Sequence, residues 1–164
     1  MPFRNNVTRL LDSRRVAYEL FEFPPERHSA EETAALLGLA PHFVYKTLVV
    51  LREAKGKKPL LVMTPAGREL DLKTLAGSLG EKKLKMATQA EAEKLTGLQV
   101  GGISALALLN RGFEICLERR ALELPFVHVS AGQRGANLRL APADLQALTQ
   151  AKLVDTTDTT RPAA

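Results

Sequence analysis

Lys46 is the only charged residue in a largely apolar run of the chain, residues 43–51. Side chains of a strand alternate between its two faces, so both faces of this segment would be largely apolar. The lysine ammonium would then be partly desolvated or would line a cleft, where it could bind a phosphate or a carbonyl oxygen. The segment also fits a lysine whose stem lies on apolar surface while its head reaches water.

Two glycine-containing loops could supply the other half of such a site. Gly101 and Gly102 form the first loop, and Gly132 and Gly135 belong to the second, which follows Ser130. Glycine lets backbone N–H groups approach a ligand closely, so these loops can present N–H groups to a carbonyl oxygen or a phosphate. Turns of this kind also occur in many α+β domains, so the spacing alone leaves both interpretations open.

Other reactive groups are poorly placed for chemistry. Nucleotide-binding glycine motifs, HExxH and paired cysteines are absent, and the three histidines lack ligand spacing, so neither a metal nor a cofactor is predicted. Cys116 shares a strand face with Glu114 and Glu118, whose charges raise a thiol pKa, so it is a poor nucleophile. His128 and Ser130 also share a strand face, but without an acid partner a structural role is favoured.

The charge of the chain favours a polyanionic partner. Its 164 residues contain 23 Lys plus Arg against 18 Asp plus Glu, which gives a net charge of +5. This balance favours RNA through phosphate contacts, although a solvated basic surface explains it equally well. One cysteine and the absence of a long apolar run or a leader after Met1 predict a cytoplasmic protein.

Helix-capping residues and the alternation of apolar and polar side chains predict the helices and strands that must position these residues. The strand that contains Lys46 is expected at residues 43–52, and the chain is expected to return as its antiparallel partner at 60–63. Further strands are predicted at 17–23, 113–118, 126–130 and 138–140. Five helices are predicted: one ending near Arg15, three capped by Ser29, Asp71 and Thr88 and ending at Gly38, Gly80 and Gly97, and one beginning at Pro142.

The order of these elements predicts a single α+β domain. Strict alternation of strand and helix is absent, so a doubly wound parallel sheet is not expected and a mixed sheet is. We expect the domain to span residues 1–155. The small and polar residues 156–164 are expected to be a disordered tail.

Several short motifs occur in a defined order along the chain. They are Val44–Leu48, Thr64-Pro65, Leu70–Lys73, Thr96-Gly97, Val100–Ser104 and Val129–Gly135. As an ordered set they resemble the YbaK/prolyl-tRNA-synthetase-associated editing domain family. The resemblance extends from the first helix to about Ala151, nearly the whole chain.

The resemblance implies both a fold and an activity. The fold would be a mixed α+β domain around a curved, partly barrel-like sheet. The activity would be that of a trans-editing aminoacyl-tRNA deacylase, a carboxylic ester hydrolase acting on mischarged tRNA such as Cys-tRNA(Pro) or Ala-tRNA(Pro). The acceptor end of aminoacyl-tRNA would be the partner and prolyl-tRNA synthetase a candidate partner, without a cofactor, a metal or a membrane.

The resemblance also assigns residues to the site. The functional lysine of the family matches Lys46, and Gly101 and Gly102 would be catalytic through amides that stabilise charge on the carbonyl oxygen. The substrate-binding residues would be Tyr45, Thr47, Ile103, Ser104, Ser130, Gly132 and Arg134. Water, or the thiol of a cysteine substrate, would be the nucleophile.

Four positions depart from the family pattern. Ala105 replaces a proline, Ala107 and Ala131 replace glycines, and Asn137 stands where an aspartate is frequent. Loss of the proline is expected to loosen the loop, and an alanine methyl to narrow the pocket. The alternative function is therefore a binding module derived from the deacylase fold, which recognises tRNA or a nucleotide without hydrolysing it.

Overall fold

A computed structural model describes residues 4–53 and 56–157, and within them the chain forms five α-helices and eight β-strands. The helices are α1 Asn6–Ser13, α2 Ala30–Leu37, α3 Leu72–Leu79, α4 Gln89–Thr96 and α5 Pro142–Thr149. The strands are β1 Tyr18–Glu22, β2 Tyr45–Arg52, β3 Leu60–Pro65, β4 Leu84–Met86, β5 Glu114–Glu118, β6 Val127–Ser130, β7 Ala136–Leu140 and β8 Lys152–Val154. Among these described residues, no helix is long and apolar enough to cross a membrane.

Local capping fixes the ends of the helices as predicted. The hydroxyls of Ser29 and Thr88 accept the amides of the third residues of α2 and α4, and the Asp71 carboxylate accepts the corresponding amide of α3. Helices α2, α3 and α4 each end at a glycine. The starts of these three helices are therefore encoded within a few residues of sequence.

The strands confirm the α+β class but form two sheets, where one mixed sheet was expected. The five-stranded sheet has the order β4-β2-β3-β5-β8, with antiparallel pairs around β2 and parallel pairs around β5. The three-stranded sheet is antiparallel, in the order β1-β7-β6. A single parallel bridge between Val44 and His128 links the two sheets, which do not close into a barrel.

Strand β2 is covered on both faces, as its apolar pattern predicts. Tyr45 and Val49 belong to the larger core cluster, which also holds the inner residues of the three-stranded sheet. Val44 and Val50 lie on the other face, in two smaller clusters. Lys46 shares this second face and lies near the start of α2.

One edge of β2 is only partly paired. Strand β3 pairs with it from Tyr45 to Val50, whereas β4 pairs only from Val50 onward, and the bridge from His128 lies at Val44. Ala66 donates to the Val44 carbonyl on the β3 side, and Ala87 donates to the Val49 carbonyl on the opposite side. Because alternate residues of a strand direct their backbone groups to opposite sides, those of Thr47 point to the partly paired edge.

The buried carboxylate of Glu118 binds residues at the end of the described chain through hydrogen bonds. Glu118 is 2% exposed and accepts hydrogen bonds from Arg120 and from the Thr156 hydroxyl. Thr64 lies 2.7 Å from that hydroxyl, and the Asp71 amide donates to the Thr156 carbonyl. Thr156 and Thr157 are thus packed into the domain, beyond the predicted boundary at residue 155, while residues 158–164 of the predicted tail lie outside the described residues.

His128 lies on the outer face of the three-stranded sheet and is nevertheless completely buried. His128 is 0% exposed, with the rings of Phe21 and Phe126 within 5.6 Å of its own. The pKa of His128 is lowered to about 4, mainly by burial and also by the Arg139 cation, while the hydrogen bond to Asn137 acts in the opposite direction. The ring is therefore neutral in the folded protein near pH 7.

This histidine predicts an acid-sensitive stability. Between pH 6.5 and about 4 the unfolded chain binds a proton at His128 that the folded chain does not, so the free energy of unfolding decreases as the pH falls through this window. The loss should be on the order of 3 kcal/mol. Urea unfolding at pH 7, 5.5 and 4 should show a steeper loss for the wild type than for His128→Gln. His42→Gln, which changes an exposed ring, is the matched control and should behave as wild type.

Candidate active site

A cleft of about 640 Å³ opens at the partly paired edge of β2. The start of α2, the connection from β4 to α4 and the loop that ends at Ile103 form its sides. Ser130 and Asn137, on the outer face of the three-stranded sheet, complete the wall. The gap in strand pairing and this cavity therefore coincide.

Lys46 projects into the cleft and is loosely held. Its Nζ lies 3.4 Å from the Arg68 carbonyl oxygen and 3.9 Å from a carboxylate oxygen of Glu31, and its side chain is 27% exposed. The Gly67 amide donates to the same Glu31 oxygen at 3.0 Å, and this bond is the main cause of the lowered pKa of Glu31. An ammonium has three N–H donors, so Lys46 keeps donor capacity for a ligand.

The first glycine loop places one glycine at the cleft and uses the other for packing. Gly101 lines the cleft with φ of +97°, in the left-handed region that favours glycine. The Gly102 amide donates to the Gln99 carbonyl at 2.8 Å, so it is engaged within the loop. A Cβ on Gly102 would lie 2.7 Å from the backbone nitrogen of Arg134, which shows how closely the two loops approach.

Side chains from two other elements fix this loop. Arg134 donates from Nε to the Val100 carbonyl at 2.9 Å, and the Glu93 carboxylate accepts the Val100 amide at 2.9 Å. Arg134 also packs beside Gly101. The loop is thus held at the cleft by one basic and one acidic side chain.

The second loop contributes a hydroxyl. Ser130 lines the cleft, and its Oγ accepts the Gly132 amide at 3.1 Å. Its O–H proton is therefore available to a ligand. Gly132 itself faces Val7 and Ala107 on the interior side.

The cleft assembles six of the ten residues assigned from the sequence and separates the other four from it. Residues on its wall are Tyr45, Lys46, Thr47, Gly101, Ile103 and Ser130. Residues outside the lining are Gly102, Ser104, Gly132 and Arg134. Ser104 is 1% exposed and caps the next turn through the Leu106 amide, so its hydroxyl serves the fold.

Tyr45 lies mostly in the core although part of it lines the cleft. The residue is 3% exposed and belongs to the larger core cluster. Burial raises the pKa of its hydroxyl, and the charge of Glu118 raises it further. The phenol therefore stays protonated at neutral pH.

His28 and Asn137 are two of the polar residues at the cleft that the sequence did not assign to the site. His28, directly before the Ser29 cap, lines the cleft with a buried Nε2 that has no hydrogen-bond partner in the described part of the chain. Asn137 is 8% exposed and contributes to the opposite wall. No local sequence motif marks either position as part of the site. Both residues reach the cleft because distant strands and loops pack together.

The alanines that replace glycine or proline do not narrow the cleft. Ala131 is fully buried and Ala105 is 2% exposed, and both methyl groups belong to the larger core cluster. Ala105 begins a single 3₁₀ turn, Ala105–Ala107, that Ser104 caps. The expected narrowing by an alanine methyl is therefore wrong for these two positions.

The arrangement favours stabilisation of a negatively charged oxygen over attack by a protein nucleophile. Lys46 and Ser130 direct donors into the cleft, and the Gly101 backbone is accessible there. Cys116 is fully buried, and burial together with the Glu114 charge raises its thiol pKa to about 12, as the sequence indicated. The described lining residues include neither a cysteine nor a serine that is hydrogen-bonded to a histidine.

Comparisons with known proteins identify the family of the chain. Residues 24–148 match the family model described as the aminoacyl-tRNA editing domain. The chain is 34% identical to a protein of Enterococcus faecalis named as a Cys-tRNA(Pro)/Cys-tRNA(Cys) deacylase, EbsC, over 94% of this chain and 93% of that protein. It is 27% identical to the prolyl-tRNA editing protein ProX of Acetoanaerobium sticklandii, over 92% and 93%.

A solved structure has the same fold over its full length. It is described as a trans-editing enzyme for prolyl-tRNA synthetase and superposes with a TM-score of 0.75 at 26% identity. The match covers 96% of this chain and 99% of that one. The architecture around the cleft is therefore shared with that protein.

The contact between the two loops predicts the effect of a single methyl group. Gly102→Ala should lower the free energy of unfolding by about 1–3 kcal/mol, since the new Cβ would overlap the backbone of Gln133 and Arg134. Gly77→Ala, in α3, meets nothing within 4 Å and should raise stability by up to about 1 kcal/mol. Urea unfolding of the two variants checks the pair, and equal stability would contradict the close packing of Gly102.

Proposed function

The chain belongs to the aminoacyl-tRNA editing domain family, and on that premise we propose that it is a trans-acting deacylase that hydrolyses the ester of mischarged tRNA. The observation that carries the proposal is the cleft at the β2 edge, where Lys46, Gly101 and Ser130 meet around one cavity. These groups suit a reaction in which charge develops on a carbonyl oxygen. Relatives named as deacylase or editing protein match nearly the whole chain.

Orientation and charge stabilisation would supply the catalysis. The ester between an amino acid and a tRNA ribose is already activated, so the site needs mainly to hold it and to stabilise the oxyanion. Lys46 would bind the phosphate or carbonyl region of the terminal nucleotide. Because the Gly102 amide is engaged with Gln99, we narrow the oxyanion donors to the amides of Gly101 and Ile103.

Water, or the thiol of a cysteine substrate, would be the nucleophile. Its oxygen or sulfur attacks the carbonyl carbon, the bond to the ribose oxygen breaks, and that oxygen leaves with a proton as a free hydroxyl. The ring nitrogens of His128 are both hydrogen-bonded, to Asn137 and Arg139, and the ring is fully buried. His128 therefore cannot activate Ser130, which supports a substrate-binding role for the serine.

The proposed substrate is Cys-tRNA(Pro) or Ala-tRNA(Pro). The name of EbsC supports cysteine on tRNA(Pro), and the name of ProX supports the proline system, whereas alanine as the amino acid rests on the family resemblance alone. The net charge of +5 supports binding of the tRNA acceptor end. Prolyl-tRNA synthetase is the proposed protein partner, and the cytoplasm, where charged tRNA is used, is the proposed compartment.

Replacement of the lysine tests the proposal directly. Lys46→Met keeps the length of the side chain but removes the ammonium, and should lower kcat/KM for deacylation by about 100-fold. The assay uses tRNA(Pro) charged with cysteine, alanine or proline and tRNA charged with serine. Lys83→Met, at an exposed lysine outside the cleft lining, is the matched control and should retain wild-type activity.

The same panel separates the enzyme from the binding module. Binding of the charged tRNAs by the wild type without hydrolysis of any of them would favour the module. Full activity of Lys46→Met would overturn the assignment of the lysine, while circular dichroism of the variant confirms that the domain is folded.

A further inference from the structure

A chain of hydrogen bonds runs across the outer face of the three-stranded sheet and ends at the cleft. Arg139 donates from Nε to Nε2 of His128 at 2.9 Å. The Nδ1 atom of His128 lies 3.0 Å from Oδ1 of Asn137, and Asn137 lines the cleft. These three side chains share one face of the sheet, since His128 pairs with Arg139 and residue 137 lies two positions before Arg139 on β7.

The direction of every bond in this chain follows from its first member. A guanidinium carries only donors, so Nε2 of His128 must accept and cannot carry a proton. The proton of the neutral ring is therefore on Nδ1, which donates to Asn137. The Asn137 oxygen is then the acceptor, and its amide nitrogen makes no hydrogen bond within the described residues.

Aromatic rings shield the middle of this hydrogen-bond chain, the His128 ring, from water. The Arg139 guanidinium lies 4.2 Å from the ring centroid of Phe126 and 5.2 Å from that of Phe21. The His128 ring, 0% exposed, lies between the same two phenylalanines. Water cannot reach the fully buried His128 ring, so reversal of the Asn137 amide would leave its Nδ1–H without an acceptor.

We propose that Arg139 and His128 are positioning residues that hold the Asn137 amide with its nitrogen toward the cleft, where it donates a hydrogen bond to an oxygen of the aminoacyl ester. The identity of this ligand rests on the proposed function, whereas the orientation of the amide does not. Ser130 offers a second neutral donor on the same wall. An aspartate at position 137 would present acceptor oxygens and a negative charge instead.

The tautomer of His128 tests the orientation without any substrate. Long-range ¹H–¹⁵N correlation spectra of the wild type at pH 7 should show His128 protonated on Nδ1 alone. Arg139→Met removes the donor but keeps an unbranched apolar chain between the two phenylalanines, and should populate the Nε2-protonated form. A wild-type ring protonated on Nε2 would overturn the proposal, whatever substrate the protein acts on.

A double-mutant cycle tests whether Arg139 acts through Asn137. With Cys-tRNA(Pro) and Ala-tRNA(Pro), Arg139→Met and Asn137→Ala should each lower kcat/KM by about tenfold, and the double variant by about the same tenfold. Multiplication to about 100-fold would show independent effects and overturn the positioning role. Arg111→Met, at an exposed arginine outside the cleft lining, is the matched control for loss of one charge.

The two readouts separate failure of this inference from failure of the proposed function. A wild type that hydrolyses no charged tRNA would refute the deacylase assignment, and the tautomer spectrum would still decide the orientation of Asn137. Hydrolysis by the wild type with unchanged kcat/KM in Arg139→Met would refute the positioning role alone. Thermal unfolding of each folded variant excludes a general loss of stability as the cause.

Discussion

The partly paired edge of β2 is the constraint on which the site depends. Strand β3 occupies one side of β2 from Tyr45 to Val50, but on the other side β4 and β6 meet it only near its ends. Backbone groups of Thr47 must then find water or a ligand, because buried peptide groups do not remain unpaired. A longer β4 would pair them and fill the cleft. In the described part of the chain the two sheets pair only at the Val44 bridge, and the gap between this bridge and β4 is the cavity that Lys46 enters.

Around this gap the fold engages several side-chain acceptors internally and leaves donors facing the cavity. Acceptor oxygens at the rim are engaged as follows: Glu31 with Gly67, Glu93 with Val100, Ser130 with Gly132, and Asn137 with His128. Donors that face the cavity are the Lys46 ammonium, the Ser130 hydroxyl proton and the Asn137 amide nitrogen, together with the proposed oxyanion donors, the amides of Gly101 and Ile103. Donors fixed in this way need little reorganisation when negative charge develops on an oxygen. The internal bonds that stabilise the loops thus also set the chemical preference of the cleft.

Local sequence determined most elements, and distant pairing determined the rest. Caps such as Ser29 and Thr88 defined helix starts because the capping bonds join residues three apart. Strands β4 and β8, at three residues each, are too short for alternation to reveal, and the division into two sheets follows from pairings between distant segments. The site shows the same limit: Gly102 and Arg134 stand in the right motifs, yet the fold uses them to join the two loops. Arg139 and His128 orient Asn137, and no rule of sequence spacing relates His128 on β6 to the two residues on β7.

The described lining residues include neither a cysteine nor a serine that a histidine could activate, so geometry becomes the source of selectivity. Cys116 is buried with a raised thiol pKa, and both nitrogens of His128 are engaged. If the rate depends on where the carbonyl oxygen sits relative to fixed donors, then an acyl group that shifts this oxygen by a fraction of an ångström loses stabilisation. Rigid loops are therefore required, which explains why Gly102 is packed too tightly to admit a methyl group. The stability of the fold and the discrimination between acyl groups therefore depend on the same contact between the two glycine loops.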